Sequence, residues 1–210
     1  MLPNQDVYYL QNNRPEPGQT PDELLDAVEG AFGQRAKEHF FALRRILPDL
    51  RGLEIIDNDN RGLAESAEGG FSRQPWRRYE LENYIVTPQI LIDYVQPDTP
   101  DLFDDQRATI LSALMLEQIF DGNATDYANY SEANPATQST IWRAQTQTKK
   151  LSLFAEGFFR RVADATGTPM LLRKRDLYRL VERQDPGAID PDVSSKLNAI
   201  EQLLQPQSSD

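Results

Sequence analysis

The stretch that most constrains the fold is Leu53–Asn60, LEIIDNDN, a short β-branched apolar run that ends abruptly in two aspartates. That is the pattern of a buried strand delivering carboxylates to the edge of a sheet, with Asp57 and Asp59 on one face. A second acid pair follows in Arg77–Tyr84, RRYELENY. If this segment is extended, Glu80 and Glu82 also project on one side. Four acids presented this way predict a Mg2+ or Mn2+ site, because hard divalent ions take several oxygen ligands and strand-end acid pairs supply them.

Around these stretches the chain reads as strand, helices, strand, the order of a parallel sheet with crossovers. Asp6–Leu10 is the expected first strand. Thr20, Pro21 and Glu23 make a capping box for a helix, and a second helix is expected from Gln34 to Leu47, ended by Pro48. Residues 60–74 read as a long loop rich in Gly, Ser and charge, and Trp76–Val86 as the second acid-bearing strand. Thr87 and Pro88 then start a helix, and another is expected from Thr99. Gly122–Gln138 reads as polar and irregular. Beyond it the expectation is helix over Thr140–Ala165, a short strand at Met170–Leu172, and helices over Arg175–Arg183 and Pro191–Leu204. The fold class is α/β, with residues 1–97 forming the metal-site region, 98–205 a mainly helical C-terminal part and 206–210 a disordered tail.

The chain has no cysteine, so any metal is held by oxygen ligands or by the single histidine, His39, which reads as structural. No apolar run approaches the roughly 20 residues that span a bilayer, and no charged-then-apolar leader opens the sequence. The expected location is the cytoplasm. The net charge of −11 argues against coating nucleic acid by bulk electrostatics. It hides an asymmetry: residues 1–140 carry a net −13, whereas 141–183 hold ten basic and four acidic side chains, a net +6. An acidic half with a metal-type site and a basic half suit a phosphodiester bridging the two, although solvated helix charges alone would look the same.

A calcium reading competes, since Asp57, Asp59, Gly62 and Glu68 match positions one, three, six and twelve of an EF-hand loop. Position five, however, is Arg61, and Pro48 and Gly52 break the entering helix. For the aspartates alone, a turn of locally hydrogen-bonding Asp and Asn residues is the plain alternative.

LEIIDNDNRG resembles the D-x-D motif of a Toprim domain. RRYELENYIVTPQIL resembles the arginine, glutamate and "IENYLL" signature that follows it in OLD-type (overcoming lysogenization defect) ATPase-nucleases and related AAA-type ATPases. MLLRKRDLYRLV and VSSKLNAIEQL are similar to the helical end of that region. The resemblance implies a metal-dependent nuclease of a bacterial or phage defence system. Asp57, Asp59 and Glu82 would hold metal, and Glu80, Glu82 and Lys150 form the expected catalytic set. Lys149, Lys150 and Lys174 are all candidates to neutralise charge developing on the phosphorus. Arg77, Arg78, Lys149, Lys150, Arg173, Lys174 and Arg175 would contact nucleic acid, DNA in preference to RNA.

Two departures shape the expectation. A complete Toprim domain opens on a strand ending in glutamate, whereas the one likeness here, Val28-Glu29-Gly30, lies in a helical pattern only 28 residues before Asp57. Read so, the Toprim-like domain is incomplete, truncated or split. There is also no G-x-x-x-x-G-K-[ST] phosphate loop, so an ATPase would be a partner subunit or an upstream domain. A homo-oligomer fits as well. The alternatives are a non-catalytic interaction module that assembles with an ATPase, and a small-molecule phosphotransfer enzyme with a closed pocket.

Overall fold

The computed structural model describes residues 36–96 and 102–205. The expected strand Asp6–Leu10, the helix from Thr20, Glu29 and the tail 206–210 lie outside them. The order is α1 (Ala36–Arg44), β1 (Gly52–Ile56), β2 (Ser66–Glu68), β3 (Phe71–Pro75), α2 (Glu82–Ile85), α3 (Pro88–Val95) and α4 (Asp104–Leu114). A π-helical turn, Met115–Ile119, continues α4. Then come α5 (Ala124–Ser131), α6 (Pro135–Thr146), α7 (Leu151–Thr166), 3-10 segments over Lys174–Arg183 and Pro186–Ala188, and α8 (Pro191–Leu204). The protein is therefore α/β with a small sheet and a mainly helical remainder. Among the described residues no helix is long and apolar enough to cross a membrane.

The chain divides into two compact units that interleave along the sequence, whereas the sequence reading draws one boundary between 97 and 98. Among the described residues the first comprises 36–55, 64–74 and 196–205. Its sheet has strand order β1-β3-β2. β2 and β3 pair antiparallel, Glu68 opposite Phe71, across Gly69-Gly70. Both glycines have positive φ, 54° and 81°, as a tight hairpin turn requires. The bonds Gly52 N–H to Gly70 O and Trp76 N–H to Ile56 O advance together along both strands, so β1 runs parallel to β3. Phe40 of α1 packs on Phe71 with ring centroids 5.2 Å apart. Lys196 is buried and paired with Glu65 at 3.0 Å.

The second unit comprises Ile56–Leu63 and Pro75–Ser195. Its core is built on α7, whose Leu151, Phe154, Ala155, Phe158, Phe159 and Val162 recur at helical spacing and are all buried. Burying each of the larger side chains contributes about 1.5–3 kcal/mol. Gly167, at φ 68°, ends the helix in the left-handed conformation. Trp142 of α6 donates its indole N–H to Val86 O at 3.2 Å and packs beside Phe154 and Tyr130.

Several expected elements differ. Trp76–Val86 is not a strand: residues 77–81 are bends and a turn, and α2 follows. Arg77 and Arg78 pair with Asp192 and Asp190 while Glu80 turns to Ser152, and these non-local partners hold the backbone out of the extended form. Gly122–Gln138 is mostly helical, because Asn123 and Asn134 cap α5 and α6 and Pro135 pre-sets the first turn of α6. The helix expected over Thr140–Ala165 is two helices, α6 and α7, with a break at residues 147–150. Met170–Leu172 is irregular, and the predicted parallel sheet with helical crossovers is, among the described residues, one parallel pair extended by a hairpin. α8 forms over the residues expected.

Candidate functional site

The site residues lie within the second unit. β1 ends at Ile56, and Asp57 is the first residue beyond it. The turn that follows is held locally. Asn58 donates its side-chain amide to Trp76 O at 3.0 Å and accepts Gly62 N–H at 3.2 Å. Arg61 donates to the carbonyls of Asp57 and Asn58, at 2.6 and 3.2 Å. Asp59 and Asn60 have positive φ, 46° and 57°, so strand alternation stops before Asp59. Asp59 donates its N–H to Tyr79 O at 3.0 Å, and its exposed carboxylate pairs with Arg61 at 3.3 Å. The turn chemistry of Asp and Asn is thus present together with the acid. The EF-hand expectation has no support in this backbone: a strand, not a helix, enters the turn, and Glu68 lies in β2 paired with Lys37 at 2.6 Å.

Asp57 and Glu82 are brought together electrostatically with Lys150 and Lys174. Partial burial, then the neighbouring Asp59 charge, push the Asp57 carboxyl above its ordinary value; the Leu81 N–H, Lys150 and Lys174 pull it back. Glu82 is also raised, by burial and then by Asp57, with its own backbone N–H, Lys174 and Lys150 opposing. These are two like charges from separate segments, each felt by the same two ammonium groups.

Glu80 stands differently. It is buried, and both its oxygens are engaged, one by the Ser152 N–H at 2.5 Å and the other by the Ser152 hydroxyl at 3.0 Å. Burial pushes its pKa up to about 7, with the Glu82 charge adding to the rise and the Ser152 bonds and Lys150 opposing. The expected face shared by Glu80 and Glu82 is absent because the backbone turns between them. Glu80 serves as the cap of α7, whose own N-cap residue, Lys150, provides none.

The cations separate by role. Lys149 pairs with Asp121 at 2.6 Å. Arg78 is largely buried: it pairs with Asp190 at 2.7 Å, bonds Asn83 O and stacks 4.6 Å over the Tyr84 ring. Asp190 also pairs with Arg143 at 3.1 Å. The side chains of Arg77 and Arg175 are mostly exposed, 78% and 74%, and Arg173 is exposed as well. Three further residues hold the site together. Asn83, buried, donates its amide to Thr146 O at 2.8 Å and Lys149 O at 3.1 Å. Tyr84 accepts the Arg78 N–H at 3.0 Å and donates to Asp192; burial first, and then this bond, raise the Tyr84 pKa. Asp192 accepts the Arg77 N–H at 3.0 Å. The signal for Asn83 and Tyr84 was their place in ELENY; that for Asp190 and Asp192 was absent.

Among the described residues, no three His, Cys, Asp or Glu side chains come together as a metal-holding group. The donor set near Lys150 and Lys174 is two carboxylates, Asp57 and Glu82, with Asp59 next to Asp57. Two hard oxygen donors fit one Mg2+ or Mn2+ that keeps several waters and takes substrate oxygens. They do not make the two-ion centre that four acids would. A comparison of the chain with protein-family models, curated proteins and solved structures found no match.

Proposed function

We propose that the chain is a Toprim-like, divalent-metal-dependent phosphodiesterase module acting on nucleic acid, DNA in preference to RNA, in an OLD/AAA-ATPase-like defence system. The observation that carries the reading is that Asp57, raised by burial and Asp59, and Glu82, raised by burial and Asp57, are both drawn back by the same two ammonium groups, Lys150 and Lys174. Asp57 and Glu82 would hold one Mg2+ or Mn2+, with Asp59 alongside. Such an ion polarises a phosphoryl oxygen and lowers the pKa of bound water. Lys150 and Lys174 carry charge suited to a phosphate, and the exposed Arg77, Arg173 and Arg175 are free of the tight burial that holds Arg78, so they suit backbone contacts. The setting and the ATPase partner rest on the sequence resemblance alone.

The test is manganese calorimetry on the wild type and on Asp57→Asn, followed by incubation of both with supercoiled plasmid and manganese. Binding and nicking in the wild type, both lost in the variant, support the proposal. Absence of manganese binding by the wild type overturns it for this chain acting alone.

One observation favours a second reading, a non-catalytic module assembling with an ATPase. Glu80, one of the four acids, is consumed in capping α7, and no three-ligand group remains among the described residues. Manganese-dependent nicking by the isolated chain would exclude that reading.

A further inference from the structure

The break between α6 and α7, residues 147–150, is gripped from both sides by one short segment. Asn83 takes the carbonyls of Thr146 and Lys149 with a single buried amide group. Glu80 takes the Ser152 N–H and hydroxyl. Lys150 lies between these anchor points, with non-helical backbone at φ −82° and ψ 93°. Glu82, on the same segment, feels the charges of Asp57, Lys174 and Lys150. Two of the acids and the asparagine of ELENY thus divide the work: one acid adds its charge to the site, while the other acid and the amide hold the backbone that presents the lysine.

We propose that Glu80 and Asn83 are positioning residues for Lys150, and that Lys150 rather than Lys149 joins Lys174 in serving the Asp57/Glu82 site. This rests on the proposed phosphodiesterase reading. Lys149, one residue earlier, is directed to Asp121 instead. A lysine is a long, flexible point charge, so a fixed backbone at its root is what limits the positions its ammonium can reach. The cost of misplacing a charged group by about 1 Å reaches about 100-fold in rate.

The test has two readouts. The first is the rate of acetic anhydride labelling of each lysine in the full chain, read by mass spectrometry. Glu80→Ala and Asn83→Ala should raise labelling of Lys150 about 3-fold or more, while Lys196, buried in the other unit, stays protected. Glu80→Gln keeps an acceptor for the Ser152 N–H and should restore the wild-type rate. The second readout is manganese-dependent nicking, where Glu80→Ala should lower kcat about 10-fold or more with KM little changed, and Glu80→Gln should recover most of it. Unchanged Lys150 labelling in both alanine variants overturns the inference, as does equal exposure of Lys196, which would mean that Glu80 and Asn83 support the fold generally. The labelling arm does not need activity. A wild type that fails to nick therefore overturns the phosphodiesterase reading, while the labelling pattern still decides whether Lys150 is held as described.

Discussion

The carboxylate of Glu80 receives two hydrogen bonds from Ser152, one from its backbone N–H and one from its hydroxyl, across 72 residues of sequence. The pair joins the ELENY segment to the first turn of the central helix, and it places a buried acid beside Glu82 and Lys150.

That arrangement makes stability pH-dependent. Glu80 titrates at about 7 in the folded chain against an ordinary 4.5. Because its folded value is raised, its contribution is fully present below pH 4.5 and is lost as pH rises through 7. The span corresponds to about 3 kcal/mol. Asp57 and Glu82 are raised as well and act in the same direction. Urea unfolding at pH 5.5 and 8 should show the lower stability at pH 8, and Glu80→Gln should flatten the difference. If an ion binds Asp57 and Glu82, manganese at about 100 times its Kd should return about 2.7 kcal/mol at pH 8.

Tyr84→Phe removes the hydroxyl shared by the Arg78 N–H and Asp192. Asp192 is buried and keeps the Arg77 N–H, but the Arg78 N–H loses its partner. The expected loss is about 1–3 kcal/mol, measured as a lower urea midpoint with unchanged slope.

The arginines next to each other should separate by assay. Arg78→Ala breaks a largely buried pair with Asp190 and should cost about 2 kcal/mol of stability in urea titrations. Arg175→Ala, at an exposed side chain, should leave stability within about 0.5 kcal/mol, whereas Arg77→Ala also removes a 3.6 Å pair with the buried Asp192 and should cost up to about 1 kcal/mol. If they meet phosphates, each should instead reduce the salt dependence of DNA binding, by a log–log slope of about 1, in fluorescence anisotropy titrations.

Gly52→Ala tests the packing of the small sheet. A Cβ at Gly52 would meet Phe40 Cδ2 at 2.7 Å and Phe71 Cδ2 at 3.0 Å. Both rings are buried and cannot easily retreat. Overpacking of this kind costs about 1–3 kcal/mol, to be read from thermal unfolding.

The strand at Leu53, the cap and proline of α3 and the whole of α8 were legible because each rests on local signals: a branched apolar run, Thr87-Pro88, and Pro191 ahead of an apolar period. The roles of Glu80 and Arg78 were not, because their partners, Ser152 and Asp190, lie 72 and 112 residues away. Period-two spacing of acids reads the same whether the backbone is extended or turned. Only the non-local partners decide that Glu80 goes inward to a helix end while Glu82 feels the charge of Asp57. The helices at Ala124 and Pro135 were hidden by polar composition, since their asparagine caps also look like loop residues.

The tertiary cap on α7 also bears on the order of folding. A first turn closed by a residue 72 positions earlier cannot be completed by local sequence, and Lys150 at that end is the wrong sign for the helix dipole. On this ground the Glu80–Ser152 contact is expected to form late, on the native side of the rate-limiting barrier. In stopped-flow chevrons, Glu80→Ala should speed unfolding while scarcely slowing folding, so that this junction governs how long the native chain persists more than how quickly it forms.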